Sequence, residues 1–205
     1  KVGYQDQVGN FRYNVGVNGG YAKNKIIEWD EAAGTPEWQR TTGKPLGTNG
    51  VSFLALQHDG VFKDDKDIAA NTLDYSGVGG ANLRPGDMKF KDVNNDQKID
   101  ADDRVRLDQT RDPTFTYGIT MGAQYKGFDL SILFQGATGG LLFIGTESGD
   151  IGNYLQYTYD NRWSVDNPSS VHPRVDNRDN TYYSGGVGGQ NSYWLRANDY
   201  MRLKN

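Results

Sequence analysis

The chain has no cysteine. That excludes a disulfide framework, thiol chemistry and a zinc–thiolate centre. Its histidines, His58 and His172, lie far apart in the sequence, and both are expected in loops without a catalytic role. Basic residues are outnumbered, 22 against 26, for a net charge of −4. With no basic cluster, nucleic-acid binding is disfavoured. Mean hydropathy is −0.75, and no apolar run is long enough for a transmembrane helix. A transmembrane barrel stays open, because its strands need only about 9–11 residues and their hydropathy averages out. The first residues show neither Met nor the charged and apolar regions of a signal peptide, so a processed or truncated piece is expected.

Glycine and tyrosine are plentiful instead, at 27 and 13 residues. Three segments alternate strictly. In FRYNVGVNGGY, Phe11, Tyr13, Val15, Val17 and Tyr21 share one face and Arg12, Asn14, Gly16, Asn18 and Gly20 the other. FTYGITMGAQY sets Phe115, Tyr117, Ile119, Met121, Ala123 and Tyr125 against Thr116, Gly118, Thr120, Gly122 and Gln124. FDLSILFQG sets Phe128, Leu130, Ile132 and Phe134 against Asp129, Ser131, Leu133 and Gln135. Period two over such lengths predicts strands with one apolar face. Lys126 and Gly127 between the last two segments predict a hairpin. Strands are expected near 10–23, 114–125 and 128–137, with another starting near 200–205. Aromatics close the ends of each apolar face, as in the girdles of an outer-membrane barrel. The stretches 24–113 and 138–199 are long and polar, far beyond ordinary loops of a compact domain. They carry two expected helices, one capped by Asp64 or Asp65 and one from Asn153 to Arg162 that ends before Pro168.

KDVNNDQKIDADDRVRL presents oxygen-bearing side chains at Asp92, Asn94, Asp96, Asp100 and Asp103. These are positions 1, 3, 5, 9 and 12 of a twelve-residue calcium loop, with Lys98 at position 7 offering its carbonyl and Ile99 as the apolar pin. Gln97 occupies position 6, where Gly usually makes the sharp turn. Proline and glycine upstream exclude a full helix–loop–helix unit. A calcium cradle and a solvated Asp/Asn turn both fit these residues. Trp29, Trp38, Tyr154, Tyr157, Tyr159, Trp163 and Trp194 are loop aromatics and candidates for ligand or partner contact, with packing as the plainer reading.

Several blocks resemble one family. PGDMKFKDVNNDQKIDADDRV (85–105) is similar to the Pro-Gly-Asp and Asp-Val-Asn-x-Asp block of SusC/RagA-type TonB-dependent outer-membrane transporters. Pro113–Gly118, Tyr125–Ser131 and Phe134–Gly136 match its following strands. HDGVF upstream, and NRWSVDNPSS and DYMRLKN downstream, keep the family order. The family loop usually carries Gly where Gln97 stands. The resemblance implies an all-β fold: part of a large antiparallel transmembrane barrel of 22 strands, without its plug domain. It implies uptake of oligosaccharides or peptides and not an enzyme. It also implies a SusD-like surface lipoprotein as partner, TonB contacted through a missing N-terminal part, and outer-membrane lipid around the strands. The Lys126–Gly127 turn would be periplasmic and the long loops extracellular, in the outer membrane of a Gram-negative bacterium. Calcium would hold one loop in a single shape. The competing reading is a soluble calcium-stabilised carbohydrate-binding β-module. A glycosidase finds little support, since no carboxylate pair stands apart from the calcium-type loop.

Overall fold

The computed structural model describes residues 1–80, 82–144, 155–175 and 191–204. Five strands form one antiparallel sheet: β1 (Val2–Val8), β2 (Phe11–Tyr21), β3 (Phe115–Tyr125), β4 (Phe128–Thr138) and β5 (Tyr200–Leu203). They lie side by side in chain order. The fold is all-β in its main sheet, with only short helical turns elsewhere.

Both tight turns sit at the same end of the sheet. Lys126 and Gly127 take φ of +46° and +86°, and positive φ at both central residues suits a two-residue hairpin to strand twist. Gly9 makes the other turn at φ +58°, joining Val8 to Phe11. β1 lies outside the three alternating segments. Its row Val2, Tyr4, Asp6, Val8 is broken by a carboxylate, so the apolar periodicity fails there. Asp6 accepts from the Tyr4 hydroxyl at 3.0 Å, which lets it sit in that row.

The long segments between β2 and β3 and between β4 and β5 differ from the polar loops expected from their composition. Together they fold into a cap with its own hydrophobic core. Leu56, Phe62, Tyr75, Val78, Met88, Phe90, Ile99, Tyr193 and Trp194 are buried there. The cap is built of short ladders: Leu46–Gly47 with Gly50–Val51, Leu54–Ala55 with Val105–Arg106, His58–Val61 with Met88–Phe90, and Leu141–Phe143 with Leu195–Ala197. Helix α1 (Asp65–Ala69) begins at Asp64, whose side chain accepts from the Asp67 amide at 2.8 Å. That bond satisfies one orphan donor of the first turn. Helix α2 spans Gln156–Asn161. Of the Asn153–Arg162 helix expected there, Asn153 and Tyr154 lie outside the described residues.

The two long segments are stitched together. The Ser192 amide donates to the Leu56 carbonyl at 2.8 Å, and the His58 amide to the Ser192 hydroxyl at 2.8 Å. Arg174 reaches Asp87 at 2.5 Å. Its amide also donates to the Gly86 carbonyl at 2.9 Å. Gly86 has φ +87°, and a Cβ there would lie 2.6 Å from the Trp163 ring, so this crossing requires glycine.

Candidate functional site

The sheet presents two chemically opposite faces. Register aligns Tyr4, Val15, Met121 and Ile132 in one row, and Val2, Val17, Ile119, Phe134 and Leu203 in the next. These rows form a continuous apolar band. None of the residues in these rows is fully buried: Ile119, Met121, Ile132 and Phe134 are half-buried, and Val15, Val17, Tyr4 and Val2 are exposed. The opposite face carries Arg12, Asn14, Asn18, Thr116, Thr120, Gln124, Ser131 and Gln135. Glycines let these polar groups reach across strands. A Cβ on Gly122 would meet the Asn14 amide at 2.6 Å, and one on Gly16 would meet the Thr120 hydroxyl at 2.6 Å.

Aromatic rings edge the apolar band at both ends. At the turn end, Tyr4, Phe11, Tyr13 and Tyr125 pair with centroids 5.8–6.4 Å apart. At the other end stand Tyr21, Phe115 and Tyr117, the last two 5.9 Å apart. From Phe11 to Tyr21 is ten strand steps, roughly 33 Å at about 3.3 Å each. Tilted by ~40°, that length spans about 25 Å, the height of a barrel's apolar band.

The Asp92–Asp103 loop is closed by its own carboxylates. Asp92 accepts from the amides of Asp96 and Gln97 at 3.2 and 2.9 Å. Asn94 also accepts from the Asp96 amide, and Asp96 accepts from the Lys98 amide at 2.9 Å. Asp103 is fully buried and accepts from the Val93 and Asp100 amides at 2.7 and 2.9 Å. Burial pushes its carboxyl above the usual range, while those amides pull it back. Asp100 caps the short turn at Ala101–Asp103. Ile99 is the pin and sits in the cap core. Gln97 adopts φ +66°, the left-handed conformation that Gly would take more easily. Among the described residues no three acidic or histidine side chains converge as a metal-holding group. Asp92, Asn94 and Asp96 do gather at the mouth of the loop, where the Asn94 amide nitrogen is 3.1 Å from Asp96.

The loop aromatics divide. Trp29, Tyr157 and Tyr159 are exposed, with Tyr157 edge-on to the His172 ring at 5.7 Å and Arg162 over the Tyr159 ring at 3.9 Å. Trp38 is half-buried and donates its indole N–H to the Asp102 carbonyl at 2.8 Å, bracing the calcium-type loop. Trp163 is half-buried under Gly86, and its indole N–H has no partner among the described residues. Trp194 is 3% exposed in the cap core. It therefore serves packing and offers no contact surface. Tyr154 lies outside the described residues.

The two histidines meet at one residue, which their sequence separation concealed. His172 Nδ1 lies 3.0 Å from the Tyr193 hydroxyl, and the His58 ring packs 5.1 Å from the Tyr193 ring. Burial drives the His58 pKa down to about 4, only partly opposed by Asp59. His172 is also lowered by burial and by Arg196. Arg196 covers the Tyr193 ring at 4.7 Å.

No family model matches the chain. In sequence it is 25% identical over 206 residues to TonB-dependent receptor P3 of Formosa agariphila, covering 96% of this chain and 19% of that receptor. In structure it matches the RagAB peptide importer in its open-open state over 98% of this chain and 20% of that one, at TM-score 0.60 and 17% identity. The closed-closed state gives TM-score 0.56 and 20% identity. In fold this chain resembles a segment of the RagAB importer. It spans about a fifth of the length of the proteins it matches.

Proposed function

We propose that this chain forms part of the barrel and cap of a TonB-dependent outer-membrane importer. The observation that carries the reading is the apolar band, edged at both ends by aromatics roughly 33 Å apart along the strand, which a barrel tilt of ~40° would bring to about 25 Å. Water would disfavour so broad a band, whereas lipid favours it. The relatives are named as a receptor and a peptide importer, which supports transport rather than enzymatic chemistry. Peptides are the favoured cargo, with oligosaccharides as the other candidate class. The turn end would face the periplasm and the cap the cell exterior, where the exposed Trp29, Tyr157 and Tyr159 suit contact with cargo or with a SusD-like lipoprotein. TonB would engage a part of the protein beyond this chain. A soluble carbohydrate-binding module fits less well, since the apolar rows would then lie in water.

The test is fractionation of native cells followed by extraction with and without detergent. Recovery in the outer-membrane fraction, solubilised only by detergent, is the expected result. A monodisperse protein in the soluble fraction would sink the reading.

We further propose calcium as a brace for the Asp92–Asp103 loop, on the strength of its ligand spacing. Asp92, Asn94, Asp96 and Asp100, with the Lys98 carbonyl, would hold it. The internal bonds of the loop imply that the ion adds rigidity to a shape already present. Chelation with EGTA should therefore lower the cap's melting temperature by a few degrees. An unchanged melting curve in wild type would reject the ion.

A further inference from the structure

Three arginines meet at a cleft of about 440 Å³ at the base of the cap. Arg104 and Arg106 flank Val105, which pairs with Ala55, and Arg111 lies in the run that enters β3. The turn at Asn49 and the buried Ser52 also line the cleft, and among the described residues no carboxylate does. In a chain of net charge −4, a cleft whose charged lining among the described residues is cationic departs from the average surface.

Nearby acids are otherwise engaged. Asp112 accepts from the Thr48 amide and hydroxyl at 2.5 and 2.9 Å. Glu31, whose charge acts on Arg106, accepts from the Thr41 and Thr42 amides, each at 2.7 Å. Arg106 is held by carbonyls instead: Nη1 donates to Ser52 at 2.9 Å and Nε to Gln39 at 3.3 Å. Those two bonds fix the guanidinium plane without neutralising it. Burial lowers the Arg106 pKa, partly opposed by the Glu31 charge. Arg111 is exposed and makes no ion pair or side-chain hydrogen bond among the described residues. Ser52 is 2% exposed, and its hydroxyl has no partner among the described residues. A buried, unpaired hydroxyl beside immobilised guanidinium groups marks a place where an oxyanion would satisfy several donors at once.

We propose that this cleft binds a carboxylate carried by the imported molecule, with Arg106 as the fixed donor and Arg111 as the mobile one. The proposal rests on the importer reading. Two sources share this chemistry: the C-terminus of a peptide and the uronic acid of a glycan.

The test uses the full-length protein purified in detergent and isothermal titration with two matched pairs of probes. One pair is a hexapeptide with a free C-terminus and its C-terminal amide. The other is trigalacturonate and its methyl ester. In at least one pair the acid should bind about tenfold or more tighter than its neutral counterpart. Which pair responds identifies the source. Arg111→Gln, chosen because that side chain braces nothing, should lower the acid's affinity about tenfold and leave the neutral probe unchanged. Equal binding or no binding in both pairs would overturn the proposal. So would an Arg111→Gln protein that melts like wild type and binds the acid equally well. The importer reading stands or falls separately, on membrane fractionation.

Discussion

Sheet and cap use the same residue types in opposite ways. In the sheet, Val15, Val17, Leu130 and Phe128 stand exposed on one face. In the cap, Leu56, Phe62, Met88 and Ile99 are at most 1% exposed and pack on one another. Neither arrangement is intrinsically the hydrophobic one. An apolar side chain goes where its surroundings are least like water: inside a core in the cap and, on the importer reading proposed above, against lipid in the sheet.

Separating the two solvents is the way to sharpen that contrast. The largest effect is expected in the cap core. Phe62→Ala should destabilise the cap by about 3–5 kcal/mol, seen as early loss of Trp fluorescence on heating while the sheet's circular dichroism persists. Simultaneous loss of both signals would show that the two regions do not unfold separately. Next comes Val17→Arg, near the middle of β2. Facing lipid, it should cost about 2–4 kcal/mol and reduce insertion into vesicles of the full-length protein. In water an exposed substitution of this kind usually costs within about 0.5 kcal/mol, so a silent variant would break the comparison.

Mild acid should then act on the cap. His58 is held near pKa 4 by burial, against an ordinary value of 6.5. Because the unfolded chain binds this proton more readily, cap stability falls as pH drops from about 6.5 towards 4 and flattens below it. The loss is about 2–3 kcal/mol after discounting for residual exposure. His58→Gln should flatten that part of the pH profile of melting. A profile unchanged in slope would assign the acid sensitivity elsewhere, with His172 as the nearest candidate. The smallest effect concerns Gln97 at φ +66°. Gln97→Gly should raise cap stability by about 1 kcal/mol by relieving the left-handed strain. A fall in melting temperature would mean that the Gln97 side chain contributes more than its backbone costs.

Much of the sheet was legible in the sequence, and the cap was not. Alternation marks β2, β3 and β4 because each strand meets two different environments at every second residue. It fails at β1, where Asp6 enters the apolar row and is stabilised by tyrosine hydroxyls that only the folded hairpin supplies. The cap core escapes because its members come from ladders of two to four residues, too short for any period to show. The oxygen spacing of Asp92–Asp103 was visible, as was the apolar pin at Ile99. That Gln97 would accept positive φ was not, since nothing local favours it. For Trp194, packing was already the plainer reading beside ligand contact, and the crossing of the two long segments buries it. The convergence of His58 and His172 on Tyr193, and the closing of the Arg104–Arg111 run by the Asn49 turn, are long-range events of the same kind.

The bond from the His58 amide to the Ser192 hydroxyl joins residues 134 positions apart. The hairpins at Gly9 and Lys126 join neighbours only. Contacts this distant in sequence close slowly, since the intervening chain must be ordered first, whereas hairpins form in about 1–10 μs. The seam between β2 and β3, which pairs Phe11 with Tyr125, is almost as distant in sequence as this bond. By loop-closure cost the hairpins are the early units, and the β2–β3 seam and the cap share the slow, long-range closure between them.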